Sequence, residues 1–251
     1  DLLEDRRQGP AQLLGADRLG GSGPALLPEN LERLRKPEGV KVIASGRAAS
    51  QMPGFSDKLS AAEIQAVADF VSSPPASVPV WGLKEINASR LEHYRAGSLP
   101  DKPAFKADLL NLFVVVETGD HHATILDGDT FEPIHRFQTR FALHGGPKFT
   151  PDGRYVYFAS RDGWIAKFDI WNLKITHEIR AGINTRNLAV SGDGRYVIVG
   201  NYLPQTLVVI DAQDLKPLKL IEAKDDNGKR SRVSAVYDAA RALALTLRVG
   251  H

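Results

Sequence analysis

Two hydrophobic rhythms divide the chain. Up to about residue 75 apolar positions recur at helical spacing, loosely at Leu31, Leu34, Val40, Val42 and Ile43, and more regularly at Ala62, Ile64, Val67, Ala68, Phe70 and Val71. Residues three and four apart share one face of a helix, so two amphipathic helices are expected here. Ser60 and Glu63 make a capping box at the start of the second, and Ser72-Ser73-Pro74-Pro75 ends it, because proline cannot continue a helix. Pro79 and Pro100-Asp101-Lys102-Pro103 bracket a connector expected to cross the surface. From residue 110 the rhythm becomes two, and short strands are expected at Leu112–Glu117, Tyr155–Ser160, Trp164–Asp169, Tyr196–Gly200 and Leu207–Asp211.

The strands repeat. Aspartates close the apolar runs Ile125-Leu126-Asp127, Ile165-Ala166-Lys167-Phe168-Asp169 and Val208-Val209-Ile210-Asp211, and the three fall 42 residues apart. A second marker, Pro151-Asp152-Gly153-Arg154-Tyr155, returns as Gly192-Asp193-Gly194-Arg195-Tyr196 after 41 residues. Asp-Gly supplies a tight turn and Arg-Tyr opens the strand behind it. Two markers at nearly one period, with four strands to a unit, are the signature of β-propeller blades. Residues 110–251 hold about three such units, whereas a closed propeller needs about four to eight. The tail from Ala239 to His251 lacks the turn markers, and an open stack of blades leaves strand edges bare. A fragment, a truncated reading frame or half of an assembly is the expectation.

Composition narrows the chemistry. Basic and acidic residues number 32 and 30, so net charge gives no reason to expect nucleic acid or an anionic membrane as partner. There is no cysteine, which excludes disulfides, thiolate metal sites, cysteine nucleophiles and covalent c-type haem. No apolar run reaches the ~18 residues of a membrane span, and the opening Asp1-Leu2-Leu3-Glu4-Asp5-Arg6-Arg7 lacks the apolar core of a secretory signal. No P-loop, His-Glu-x-x-His, Gly-x-Ser-x-Gly or Rossmann glycine pattern is present.

The candidate site residues lie in the loops between strands. His144 precedes Gly145-Gly146-Pro147, which force a loop near the start of a blade, where a neutral imidazole can ligate haem iron; a loop histidine without a role is the plainer reading. His121 and His122 share a hairpin, and because adjacent strand residues point to opposite faces, at most one serves a given pocket. Arg136, Arg140, Arg161 and Arg186 cluster near these loops, and the planar fork of arginine suits carboxylates, so a ligand with several carboxylates is expected; surface salt bridges are the plainer reading for any one of them. Tyr202 offers a hydroxyl from the next blade.

Further stretches carry a family resemblance. Gly15-Ala16-Asp17-Arg18-Leu19-Gly20-Gly21-Ser22-Gly23-Pro24-Ala25-Leu26 resembles the segment after the haem-attachment motif of a class I cytochrome c. Gln51-Met52-Pro53-Gly54-Phe55 with Leu59-Ser60 and Glu63-Ile64 resembles its axial-methionine loop and last helix. Around Phe141-Ala142-Leu143-His144, Ser160-Arg161-Asp162, Phe168-Asp169-Ile170-Trp171, Gly182-Ile183-Asn184-Thr185-Arg186 and Gly200-Asn201-Tyr202 the chain resembles the cytochrome cd1 nitrite reductase family, and within it the dihydro-haem d1 dehydrogenases of haem d1 biosynthesis. The likeness runs over about residues 15–240. It implies a small all-α cytochrome c-like domain (residues 1–75), a linker (76–109) and an all-β haem d1-type propeller portion (110–251), about three blades of the family's eight. It also implies His144 as proximal iron ligand, Arg140, Arg161, Arg186 and Tyr202 lining the pocket, and Met52 as axial ligand to a haem c. His122, or less preferably His121, becomes the distal ligand and catalytic group. Where the family carries Cys-x-x-Cys-His, this chain has Pro10-Ala11-Gln12-Leu13-Leu14, so haem c cannot be attached covalently.

The resemblance implies haem d1 or its dihydro precursor as ligand and oxidation of a propionate arm to an acrylate, with electrons passed to haem c. It further implies other haem d1 biosynthesis proteins or nitrite reductase as partners, and a periplasmic location in denitrifying bacteria. With the c-haem site broken, this chain alone is expected to show no dehydrogenase activity. A non-catalytic haem d1 carrier and a nitrite reductase fragment are the alternatives, and a protein-interaction propeller is the plain one.

Overall fold

The computed structural model describes residues 16–20, 23–77, 79–239 and 242–248. It divides into two units, residues 1–79 with 118–120, and residues 80–117 with 121–251.

In the first unit a 3-10 turn at Ala16–Arg18 precedes three short helices, α1 (Pro28–Leu31), α2 (Lys36–Ser45) and α3 (Ala61–Ser72). Proline opens α1 and lies in the first turn of α2, where its missing N–H costs no helical bond. The capping box at α3 is formed: Glu63 N–H donates to Ser60 Oγ at 3.3 Å, and Ser60 N–H donates to Glu63 Oε2 at 2.8 Å. At the other end of α3 the buried Arg18 donates to the carbonyls of Phe70 at 2.5 Å and Ser73 at 2.9 Å, a cation placed on the negative pole of the helix.

The expected all-α cytochrome c-like domain is corrected by the structure. The chain is mostly β-sheet, its α-helices among the described residues are four short ones, and no all-α cytochrome c-like domain is evident. The physical reason lies in the helix faces. Neither α1 nor α2 buries a side chain, and α3 buries only Ile64, Ala68 and Val71, a single narrow stripe. The stretch Pro10–Leu14, read as replacing the haem-attachment motif, lies outside the described residues.

The second unit carries the β-structure. The segment expected as a linker supplies α4 (Leu83–Ala88) and β1 (Leu91–Glu92), and Ile86 of α4 is fully buried in the core. Trp81 Nε1–H donates to Arg180 O at 3.0 Å. Four antiparallel, propeller-like sheets follow in chain order. The first holds β2 (Leu112–Glu117), β3 (His122–Asp127) and β4 (Pro133–Gln138). The second holds β5 (Lys148–Phe149), β6 (Tyr155–Ala159), β7 (Trp164–Asp169) and β8 (Lys174–Arg180), with β1 added at the β8 edge. In the third are β9 (Asn184–Val190), β10 (Tyr196–Leu203), β11 (Thr206–Asp211) and β12 (Pro217–Glu222), and in the fourth β13 (Arg232–Ala239) and β14 (Ala242–Arg248).

Period-two side chains explain why the sheets stack. Along β6, Val156 and Phe158 pack with Ala123 and Ile125 of the first sheet, while Tyr157 and Ala159 pack with Leu188, Val197 and Val199 of the third. Along β10, Val197 and Val199 face the second sheet and Ile198 faces Val233 and Val236 of the fourth. The middle sheets are thus buried on both faces, which is why their strands read as nearly continuous apolar runs.

The repeat markers are turn chemistry. Asp152 Oδ1 accepts Arg154 N–H while Thr150 Oγ accepts Tyr155 N–H, and the bonds recur between Asp193 and Arg195 and between Ser191 and Tyr196. Asp127, Asp169 and Asp211 each accept the backbone N–H two residues on. Four residues after each stands a bulky residue in the left-handed region, Phe131 (φ 59°), Leu173 (φ 56°) and Leu215 (φ 58°). The same hairpin is therefore built three times.

Candidate functional site

Hairpins and inter-sheet loops alternate along the blades, so each blade has two ends. One, the turn end, carries the Asp-Gly and Asp-capped turns. The loop end carries the segments from one sheet to the next and the hairpins before β3, β7 and β11. Among the sequence-predicted residues of the second unit, His121, Arg140, His144, Arg161, Arg186 and Tyr202 belong to the loop end.

His144 sits in the loop between β4 and β5. Its N–H donates to Ala159 O at 2.8 Å, and Leu143 makes a bridge to Ser160, so the loop is pinned to the second blade. The imidazole is exposed, and its Nδ1 lies 2.8 Å from Arg186 O on β9. A carbonyl only accepts, so Nδ1 carries the proton and the neutral ring keeps its lone pair at Nε2. Gly145 makes this approach possible: its φ is +84°, and a Cβ there would fall 2.8 Å from Arg186 O and 2.9 Å from Asn187 Oδ1. A small pocket of about 240 Å³ lies beside the ring, walled by Val116, Leu143, Phe158 and Ala159.

Arg186 is tied to both neighbours. Its Nη1 lies 3.5 Å from His144 Nε2, and its guanidinium stacks 4.4 Å over the Tyr202 ring. Tyr202 Oη lies 3.4 Å from Ser234 Oγ, and Arg232 reaches the same ring from β13 at 5.6 Å. Arg161 joins through its backbone, its N–H donating to Ala142 O at 3.1 Å, and its side chain is exposed. The structure therefore brings His144, Arg161, Arg186 and Tyr202 to one end of the blades.

Arg140 and Arg136 are engaged within the protein. Arg140 gives its fork to Glu178, Nε to Oε1 at 2.7 Å and Nη2 to Oε2 at 3.0 Å, and stacks 4.0 Å over Trp164. His93 Nε2 lies 2.9 Å from the same carboxylate. Burial pushes the Glu178 carboxyl up, but Arg140 and His93 outweigh it and hold it below the usual range. Arg136 donates from Nε and Nη2 to Glu117 Oε2 on the first blade, at 2.9 and 2.8 Å.

Of the histidine pair, His121 is the one bonded to the loop: its Nδ1 accepts Ala142 N–H at 3.3 Å and its ring packs 5.1 Å from Phe141. Its φ of 61° puts it in the turn rather than in a strand. His122 begins β3, opposite Glu117 and Gln138. Met52 belongs to the first unit, half-buried between α2 and α3, with its carbonyl accepting Arg47 N–H at 3.1 Å. Sequence reasoning missed Glu178, Arg232 and Ser234. Glu178 falls in the polar phase of β8 with Thr176 and Arg180, so no local signal marked it as buried.

Residues 107–245 match the family described as the cytochrome D1 heme domain. The dihydro-heme d1 dehydrogenase of Pseudomonas aeruginosa is 58% identical over 225 residues, 90% of this chain and 46% of that protein. Protein NirF of the same organism is 34% identical over 132 residues, 51% of this chain and 34% of the relative. A solved structure of the dihydro-heme d1 dehydrogenase NirN in complex with DHE superposes with a TM-score of 0.88 at 53% identity, covering 98% of this chain and 53% of that one. The chain spans about half the length of the dehydrogenase it matches. No described helix is long and apolar enough to cross a membrane.

Proposed function

The chain belongs to the cytochrome D1 heme domain family, and on that premise we propose that its second unit binds haem d1 or the dihydro precursor at the loop end of the blades, in the service of haem d1 biosynthesis. His144 is the proximal iron ligand. The observation that carries this reading is the bond from His144 Nδ1–H to Arg186 O at 2.8 Å. A backbone carbonyl that holds one ring nitrogen fixes the tautomer and aims the other lone pair, as is usual for a metal-binding histidine. Arg186 Nη1 sits at the outer limit of hydrogen bonding to Nε2, so it yields that lone pair once it turns to a carboxylate.

The carboxylate arms of the tetrapyrrole fall to Arg161 and Arg186, with Tyr202 holding the Arg186 plane. Arg140 orders the Arg140–Pro147 loop through Glu178 and meets a ligand with the N–H groups that this bidentate bond leaves over. Oxidation of a propionate arm to an acrylate removes two electrons and two protons. His122, which begins β3 beside the hairpin of the loop end, is the candidate base. The electrons leave to an acceptor, haem c in the family, which this cysteine-free chain does not attach covalently. A periplasmic location, beside other haem d1 biosynthesis proteins, goes with this reading.

Spectral titration of the purified 251-residue chain with haem d1 tests the proposal. His144→Ala is expected to weaken binding by about 100-fold and to abolish the spectrum of histidine-ligated iron. Equal affinity and an unchanged spectrum in that variant would exclude His144 as ligand. The chain's lack of a cysteine anchor for haem c favours a carrier as second reading, and turnover of the dihydro precursor separates the two.

A further inference from the structure

A groove of about 850 Å³ lies at the turn end of the second and third blades, away from the haem loops. A row of three titratable side chains crosses its floor. Tyr157, Lys167 and His177 are direct cross-strand partners on β6, β7 and β8, so they leave the sheet on one face. All three are buried, Lys167 with 6% and His177 with 3% of its surface exposed. Charged residues are rare in such positions unless fully paired.

Their pairing is incomplete. Lys167 Nζ donates to Ala212 O at 3.0 Å and to Gln213 O at 2.9 Å, while Tyr157 Oη donates to Ala212 O at 2.7 Å. These bonds clamp the turn of the third blade onto the second. They use two of the three hydrogens of an ammonium, and Nζ lies 4.1 Å from the centroid of the Tyr155 ring, a weaker partner that a carboxylate can displace. His177 Nδ1 is buried with no hydrogen-bond partner. The acidic side chains of the groove, by contrast, are engaged. Asp169 accepts the backbone N–H groups of Trp171 and Asn172 and the Arg154 guanidinium, Asp211 accepts Gln213 N–H, and Asp193 accepts Ser191 Oγ–H and Arg195. Donor capacity is what the groove has left over, beside the apolar faces of Tyr155 and Leu99.

We propose that this groove is a second ligand site, which takes a small organic carboxylate between the Lys167 ammonium and the His177 imidazole. The carboxylate accepts the third ammonium hydrogen and an imidazole N–H, and the organic part of the ligand lies along Tyr155 and Leu99. Without a ligand, burial presses the Lys167 pKa down to about 8, and burial with the nearby Lys167 charge keeps the His177 ring neutral. An anion reverses both pressures. The volume falls in the range of small-molecule pockets.

Benzoate is the probe, benzamide its uncharged counterpart, and calorimetry with the full chain the measurement. Benzoate is expected to bind at about millimolar Kd and benzamide not to bind. Lys167→Met and His177→Phe are each expected to weaken benzoate about tenfold or more. His177→Phe leaves the interblade clamp intact, so it decides the matter if Lys167→Met proves unfolded by circular dichroism. Benzoate binding that survives His177→Phe would belong to the arginines of the loop end and would overturn the proposal. So would equal binding of benzamide, or no binding at about 50 mM benzoate.

Discussion

At the turn end of the second and third blades the turns themselves are built from polar bonds short in sequence, from Asp193 to Arg195, Ser191 to Tyr196 and Asp169 to Trp171, and the long bonds there, from Lys167 and Tyr157 to the turn of the third blade, come from strand side chains. At the loop end they span whole blades: His144 reaches Arg186 across 42 residues, and Arg140 reaches Glu178 across 38. The same strands carry both ends. A turn closes on itself and repeats with the blade, whereas a loop acquires its partners only when the next blade is packed beside it. The turn end is therefore uniform from blade to blade. Different residues can stand at each loop without disturbing the scaffold, which is how a repeated fold comes to hold one asymmetric site.

Substitutions at the two ends should separate these behaviours. Gly145→Val puts a Cβ into Arg186 O and Asn187 Oδ1 at a left-handed φ. It should cost about 3 kcal/mol in denaturant unfolding and detach the His144 ring from its carbonyl. An unchanged midpoint would mean that the loop can move away without loss. Glu178→Ala strips Arg140 and His93 of their shared carboxylate and should cost about 2 kcal/mol. The Glu178 carboxyl is held below its ordinary value of 4.5, so this contribution is present above that pH and is lost as pH falls through the lowered value. Wild type and variant should therefore converge in acid, and a constant gap down to unfolding would contradict the assignment.

Arg186→Lys keeps the charge but loses the planar fork and the stack on Tyr202. Haem d1 affinity should fall about tenfold while the thermal midpoint barely moves; a large drop in midpoint would make Arg186 a scaffold residue instead. The smallest effect belongs to the turn end. Asp193→Ala should lower the midpoint slightly and leave haem d1 binding untouched. The Ser191 hydroxyl and the Arg195 N–H hold the Asp193 carboxyl down at about 2, so its contribution persists above the ordinary value of 3.8 and fades only as pH drops toward 2. Any loss of haem affinity in this variant would tie the two ends together.

The capping box of α3, the tight Asp-Gly turns and the 42-residue period were legible because each rests on residues a few positions apart, whose bonds form in any context that lets the strand or helix form. The likeness marked His144 as ligand and Arg161, Arg186 and Tyr202 as pocket residues; in the structure His144, Arg186 and Tyr202 are in contact, and Arg161 joins the same end through its backbone. The helical rhythm of the first 75 residues was legible too, but a rhythm gives only a stripe. Whether three short helices enclose a cofactor depends on what they bury, and α1 and α2 bury nothing.

Tertiary structure alone decided the fate of each arginine. Arg140 and Arg186 look alike in the chain and each stacks on an aromatic ring, yet the first gives its fork to the buried Glu178 and the second sits beside the His144 imidazole. It also decided that His121 is bonded to the loop, since a left-handed residue at the hairpin redirects the side chain. Local bonds are written in neighbouring residues. A bond across 40 residues depends on the stacking of sheets, and that stacking is driven by apolar area, which carries no information about polar partners.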